Sequence, residues 1–413
     1  MINSISLLGS SSGRNAGDAA LLSGIMDEVD AACKRRLHYE IPTSRPAFIS
    51  ANYQNDVTAV SMLPWCGSLN MLGIPTLRSL RRCELSLIFD NILFDRSLYN
   101  PLFNYMSTLR VLLPQALKRG AKMAFYNVGV GPFDCSAGKR MVRELADMAS
   151  FITVRDQGSL ETLLDVGVSR ERMLLTADAA LTVKSSPKER CQKIIRNLGL
   201  DPEKEILAVN VNRYIDTWAR PKRPSMGAKK FVETYQNALS KIAKELDVQM
   251  LFVTTQHHDR DITKAVMEGV NSSKPVCEIN NADYSHYDVK GVLGQVSLLF
   301  AMRLHAMILA TSELTPTLGL AYQPKCKYYF DTLKLSEHML PFSQFSESAL
   351  VSHVVEGWRA RSEIRKCLNA VIPVLKNHAR RAAVLVSALE HEREFASFWE
   401  SFQESAQKGV ACG

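Results

Sequence analysis

Short apolar runs, each long enough for one strand, alternate along this chain with amphipathic stretches of helix length. That alternation limits the possible folds more than any other feature. Ser4 to Leu8 opens the series, and a helix follows from Ala19 to about Arg36. Phe48-Ile49-Ser50 and Val57 to Val60 read as further short strands, and Leu85 to Phe89 as a stronger one. Residues 102–119 form an amphipathic helix stopped by Gly120. Met123 to Val128, Phe151 to Val154 and Met173 to Thr176 continue the strands, with helices over Gly138 to Ser150 and Gly158 to Val166 between them. Strands in such alternation require mostly parallel sheets covered on both faces.

The pattern lapses over Ser185 to Leu200, a charged stretch containing Pro187 that reads as a linker with one amphipathic helix. It restarts with strands at Ile206 to Val211, Gln249 to Thr254, Val276 to Ile279, Leu298 to Phe300 and Thr315 to Tyr322. Helices at Lys229 to Glu245, Asp261 to Val270 and near Val289 to Val296 separate them, with a polar loop at Thr217 to Gly227. A chain of 413 residues is long for one core. Two α/β domains are therefore expected, over 1–184 and 204–345, with a cleft between them. Residues 346–413 read as charged helices packing back on the N-terminal domain, broken or kinked at Pro373.

In open parallel sheets, ligands sit beyond the carboxyl ends of the strands. That rule selects Arg155, Asn212, Arg213, Gln256, His257, His258, Arg303, His305 and Lys325. Arg303-Leu304-His305 heads an apolar run, Ala306 to Ala310, that reads as a helix start. Helix N-termini hold anions through unpaired N–H groups and a partial positive charge. An arginine, a histidine and a lysine near one helix start suit a small phosphate- or carboxylate-bearing ligand. A basic surface loop beside a core helix would look the same at this level. After the first strand the glycine-containing loop GSSSGRNAGD matches neither a dinucleotide nor a P-loop signature. Asn15 and Asp18 stand at its helix entry, where Asp18 reads as an N-cap.

The net charge of +8 is spread over 50 basic and 42 acidic residues, which excludes a dedicated nucleic-acid binder. Nine cysteines without CxxC spacing point to a reducing cytoplasm. His257-His258-Asp259 is too sparse for a metal site, and no cofactor motif is present. No signal peptide or spanning segment is read. Arg359, Arg361, Arg365, Lys366, Lys376, Arg380 and Arg381 make the C-terminal helices basic. They read as a solvated face, or as a surface for anionic lipid at the inner side of a membrane.

NAGDAALL, GVGPF, VRDQGSLETLLDVGV, TADAALTV and RLHAMILA followed by GLAYQPK together resemble the polysaccharide pyruvyl transferase family, from about Ser6 to Leu335. The resemblance implies an α/β fold of two Rossmann-like domains in a GT-B-like arrangement, with C-terminal helices. It also implies transfer of pyruvate from phosphoenolpyruvate onto two hydroxyls of a saccharide acceptor, lipid-linked or polymeric, forming a ketal and releasing phosphate. Under that reading Arg155, Arg303, Leu304 and Lys325 hold phosphoenolpyruvate and His305 moves a proton. Asn15, Asp18, Asn212, Arg213, Gln256 and His257 line the acceptor side. The chain departs from the family pattern at Asp90-Asn91, where glycines are usual, and at Ala179, where proline is common. A glycosyltransferase using a nucleotide sugar, and a non-catalytic sugar- or lipid-binding relative, remain as alternatives.

Overall fold

The computed structural model describes residues 2–61, 73–98, 104–213 and 226–410. The chain forms two compact units. One comprises Met1–Gly13, Leu21–Val183 and Leu375–Gly413, and the other Arg14–Ala20 and Lys184–Val374. Two of the four divisions fall inside helices, Ala16–Cys33 and Arg361–Ala388.

Among the described residues of the first unit, seven strands form one parallel sheet. They are β1 (Ser4–Leu8), β2 (His38–Thr43), β3 (Asp56–Ser61), β4 (Leu85–Ile88), β5 (Lys122–Val128), β6 (Ile152–Val154) and β7 (Met173–Leu175), in the order β3-β2-β1-β4-β5-β6-β7. The second unit has six: β8 (Ile206–Asn210), β9 (Gln249–Thr254), β10 (Val276–Asn280), β11 (Leu298–Ala301), β12 (Thr317–Ala321) and β13 (Met339–Pro341). They run in parallel in the order β10-β9-β8-β11-β12-β13. Each sheet starts at an inner strand, winds outward to one edge, then crosses back to fill the other. This is the doubly wound Rossmann-like order, and its switch points lie between β1 and β4 and between β8 and β11. The fold is therefore α/β with two Rossmann-like units, the GT-B-like class.

The inner strands are mostly apolar and buried because helices cover both faces. β4, β8, β9 and β11 are buried at every residue. The last helices divide between the units. Glu347–Arg359 packs on Ala228–Leu246 in the second unit, with Phe345 stacked on Phe231 at 5.1 Å between ring centroids. In the first unit Asn127 donates to the Ala379 carbonyl at 2.9 Å, and Trp399 donates to that of Glu171 at 3.2 Å. Four of the basic residues here have protein partners. Arg359 pairs with Glu245, Arg361 with Glu205 and Arg380 with Glu28, while Arg381 lies over the Phe402 ring. Among the described residues no helix is long and apolar enough to cross a membrane.

Phe48-Ile49-Ser50 is helical, not a strand. It belongs to Pro46–Asn52, where proline takes the first turn and only Ile49 is buried. The strand at this point is β2, whose charged, proline-containing sequence HYEIPT hides it. Its Glu40 is 4% exposed and is neutralised by a two-pronged pair with Arg82, 2.6 Å on each prong. Pro373 breaks nothing, since Arg361–Ala388 continues through it. The helices Ile74–Arg82 and Pro324–Thr332 were likewise not legible in the sequence. Most of the loop at Thr217 to Gly227 lies outside the described residues.

Candidate active site

The second sheet's switch point is built by Asn210, the last residue of β8. Its side-chain amide donates to the Val253 carbonyl at 2.8 Å, and its Oδ1 accepts the Arg303 N–H at 2.9 Å. Three adjacent strands are thereby tied together where the chain leaves them. Arg303 sits at the N-cap position of the helix Leu304–Ser312, so Leu304 and His305 are the first two helical residues. The helix starts earlier than the apolar run suggests, and its first turn carries the sequence-identified trio. Leu304 is buried, while Arg303 and His305 are partly exposed.

Asp259 holds the Arg303 side chain. Its Oδ2 accepts from Nε and its Oδ1 from Nη2, both at 2.7 Å, and Oδ1 also accepts the Arg213 N–H at 2.9 Å. The carboxylate is fully buried and the guanidinium 17% exposed, so this is a charge-assisted pair largely out of water. Just past the end of β12, burial raises the Tyr322 hydroxyl well above the usual phenol range, and its hydroxyl hydrogen-bonds to Asn212. Lys325 follows β12, as expected, but in the first turn of the helix Pro324–Thr332. Gln256 and His257 follow β9, and Asn212 and Arg213 follow β8. Burial lowers His258 below the ordinary histidine range, and neighbouring His257 adds to it.

The segment Arg14–Ala20 is part of the same unit. Ala16 N–H donates to the Thr255 carbonyl at 2.8 Å, His257 N–H donates to that of Arg14 at 2.9 Å, and Asn15 bridges Gln256 in antiparallel fashion. Asn15 caps the helix Ala16–Cys33: its Oδ1 accepts the Gly17 N–H at 2.9 Å. Asp18 is thus not the N-cap. Its Oδ1 accepts from Asn15 Nδ2 at 2.7 Å and lies 3.9 Å from His305 Nδ1. Gly17 packs so close to His305 that a Cβ there would overlap the imidazole.

Arg155 is in the other unit. Its side chain is 4% exposed and faces three carboxylates: Asp178 at 3.0 Å, Asp156 at 3.6 Å and Asp90 at 3.9 Å. Burial opposes its charge, and the three aspartates outweigh that, raising it above the usual arginine range. Gly129, the first glycine of GVGPF, makes room for it, since a Cβ there would come within 2.6 Å of Nη2. Asp90 adopts φ +64°, the left-handed conformation that glycine takes most readily and aspartate tolerates. That accounts for the departure from the family pattern at this residue. Among the described residues no group of three His, Cys, Asp or Glu side chains could hold a metal.

Sequence reasoning named Arg303, Leu304, His305 and Lys325, and the structure brings them to one sheet end with Asn15, Asp18, Asn212, Arg213, Gln256 and His257. It assigned no such role to Asp259, Gly17 or Tyr322. Asp259 lies 44 residues from its partner, so spacing gave no signal.

The sequence matches the model of the family described as polysaccharide pyruvyl transferase over residues 15–324. No curated protein matches the chain. Among solved structures, a putative UDP-N-acetylglucosamine 2-epimerase from Listeria monocytogenes is similar with TM-score 0.64 and 11% identity, over 95% of this chain and 98% of that one. The Neisseria meningitidis UDP-GlcNAc 2-epimerase bound to UDP-GlcNAc gives 0.60 and 9%, over 94% and 100%. Anabaena HepE in complex with UDP and glucose gives 0.54 and 12%, over 99% and 100%. At such identities the likeness concerns the fold alone.

Proposed function

The chain belongs to the polysaccharide pyruvyl transferase family, and from that premise we propose that it transfers pyruvate from phosphoenolpyruvate to two hydroxyls of a saccharide. The product is a pyruvate ketal and the by-product inorganic phosphate. The acceptor is a cell-surface polysaccharide or its lipid-linked precursor, met in the cytoplasm. The observation that carries the reading is the Asp259-held guanidinium of Arg303 beside His305 in one helix first turn, at a sheet switch point. Phosphoenolpyruvate carries a phosphate and a carboxylate, and arginine, helix N–H groups and Lys325 suit both.

The reaction needs few groups. Protonated His305 gives its proton to the methylene carbon, C3, which becomes the methyl group and leaves C2 an oxocarbenium-like centre. One sugar hydroxyl attacks C2 and loses its proton. The C2–O bond to phosphorus then breaks, and cationic side chains stabilise the departing phosphate. The second hydroxyl attacks C2 and closes the ketal. Of the two hydroxyl protons, one replaces that given to C3 and one leaves with phosphate, so protons balance.

Several structural relatives were solved with UDP or a UDP-sugar, so nucleotide-sugar transfer is the rival reading. Incubation with phosphoenolpyruvate and an acceptor panel separates them. Phosphate release with an acceptor mass gain equal to one pyruvyl group is expected. Consumption of a UDP-sugar with no phosphate from phosphoenolpyruvate would replace this reading by the rival. Binding of phosphoenolpyruvate without turnover across the panel would point to a non-catalytic relative.

A further inference from the structure

His305 is gripped from outside its own helix. Two residues that approach it, Gly17 and Asp18, come from Arg14–Ala20, a stretch nearly 300 residues earlier in the chain. This stretch is fixed against the end of β9 by two backbone hydrogen bonds, Ala16 N–H to the Thr255 carbonyl and His257 N–H to that of Arg14, which together make the Asn15–Gln256 bridge. Asn15 then sets the next residues. Its side-chain Oδ1 accepts the Gly17 N–H and its Nδ2 donates to Asp18 Oδ1.

Gly17 is needed here for space. Its φ is not in the left-handed range, so an L side chain would fit the backbone, yet a Cβ would overlap the ring of His305. Asp18 stands 3.9 Å from Nδ1, a charge-pair distance longer than a hydrogen bond, with both side chains mostly out of water at 16% and 12% exposed. The ring therefore has a glycine backbone against one side and a carboxylate at its Nδ1 edge. The other charged groups at this sheet end are Arg303, itself held by Asp259, with Arg213, His257, His258 and Lys325.

We propose that Gly17 and Asp18 are positioning residues for His305. Gly17 sets how far the imidazole can withdraw, and Asp18 holds its Nδ1 edge so that Nε2 is the atom turned to the substrate. The early NAGD motif is thus a working part of the second unit's site and not a ligand loop of the first. This inference rests on the reading that His305 moves the proton to C3.

The test uses the full chain with Gly17→Ala and Asp18→Asn. The second substitution keeps the shape and removes the charge, and serves where the first fails to fold. Phosphate release from phosphoenolpyruvate should fall in kcat by at least about tenfold, since misplacement by an ångström can cost about a hundredfold. KM for phosphoenolpyruvate should stay within about threefold, with kcat referred to the folded fraction measured by circular dichroism so that loss of stability is not read as loss of turnover. In the ligand-free protein, the imidazole NMR signals of His305, assigned by their loss in His305→Gln, should move in both variants. Wild-type kcat in both variants, or unmoved imidazole signals, would overturn the proposal. A wild-type protein that releases no phosphate would sink the pyruvyl transfer reading, while the imidazole signals would still decide the positioning.

Discussion

Asp259 closes both carboxylate oxygens on one edge of Arg303, Oδ2 on Nε and Oδ1 on Nη2, each at 2.7 Å. Such a fork fixes the plane of the guanidinium as well as its position, which a lysine could not reproduce. The edge turned away from Asp259, made by Nη1 and Nη2, is the one that a phosphate or carboxylate would meet.

The first prediction follows from that geometry. Asp259→Asn removes the charge that orients Arg303, and it should weaken phosphoenolpyruvate binding nearly as much as Arg303→Ala. Loss of one member of a desolvated charge pair costs on the order of 2–5 kcal/mol. The double variant should bind no more weakly than Arg303→Ala alone, because both changes remove one interaction. Calorimetric titration reads all three, and fully additive losses would mean that the two residues act separately.

Arg155 calls for a different expectation. Its guanidinium is enclosed by Asp178, Asp156 and Asp90, and it holds their charges together inside the first unit. Arg155→Ala leaves three buried or nearly buried carboxylates facing one another. It should cost about 3–5 kcal/mol in stability, the usual range when one partner of a buried pair is removed. Urea melts would check this. Arg155→Lys should recover little, since one ammonium cannot span three carboxylates. A variant as stable as wild type with impaired turnover would return Arg155 to a purely substrate-binding role.

These two arginines show how much the sequence could tell. Both stand at strand ends in short motifs, and the rule that ligands gather there selects both. The rule cannot show which charges a fold has already matched, because Asp259 and Asp178 are distant in sequence from the arginines they hold. The apolar strands were legible because burial on both faces leaves short apolar runs, Ile206 to Val209 in β8 and Met250 to Val253 in β9. β2 was not, since its Glu40 is buried only by virtue of Arg82, 42 residues on. The glycine in NAGD was visible, but its reason was not. It lies in His305, a contact that no local pattern announces. Asp90 is a milder case: the glycine expected there marks a left-handed backbone, and the aspartate adopts it at φ +64°.

Acid should destabilise the protein through histidines that the fold keeps neutral. Burial holds His286 down at about 3, with Lys290 adding to the effect. Burial likewise holds His353 down to about 4, helped by His338, with its ring edge-on to Phe300. In the unfolded chain both titrate near the reference value of about 6.5. The unfolded state therefore binds more protons below that pH. The stability contributed by these neutral side chains is whole above about 6.5 and is lost as pH falls towards about 4. Melting temperature should drop steadily across that window, and His353→Leu should flatten the drop. An unchanged slope in that variant would remove His353 from the account.

The last prediction concerns whether His305 moves a proton or only donates a hydrogen bond. A residue that transfers a proton in the transition state should affect turnover far more than ground-state affinity, and general acid–base groups typically contribute about 10²–10⁴-fold. His305→Ala should then bind phosphoenolpyruvate within a few-fold of wild type while kcat falls at least about a hundredfold. His305→Gln keeps a donor of similar reach but cannot deliver and recover a proton, so it should be comparably slow. If the histidine only donates a hydrogen bond to the substrate, glutamine restores much of the rate, and alanine raises KM more than it lowers kcat. Solvent deuterium sharpens the comparison, because the proton given to C3 becomes part of the product's methyl group. In heavy water the wild-type product should carry one deuterium on that methyl, and kcat should slow. In the glutamine variant, proton transfer to C3 should be at least as limiting, so its slow residual turnover should stay sensitive to heavy water. Fast turnover in His305→Gln with the wild-type isotope effect intact would assign the proton transfer to another group.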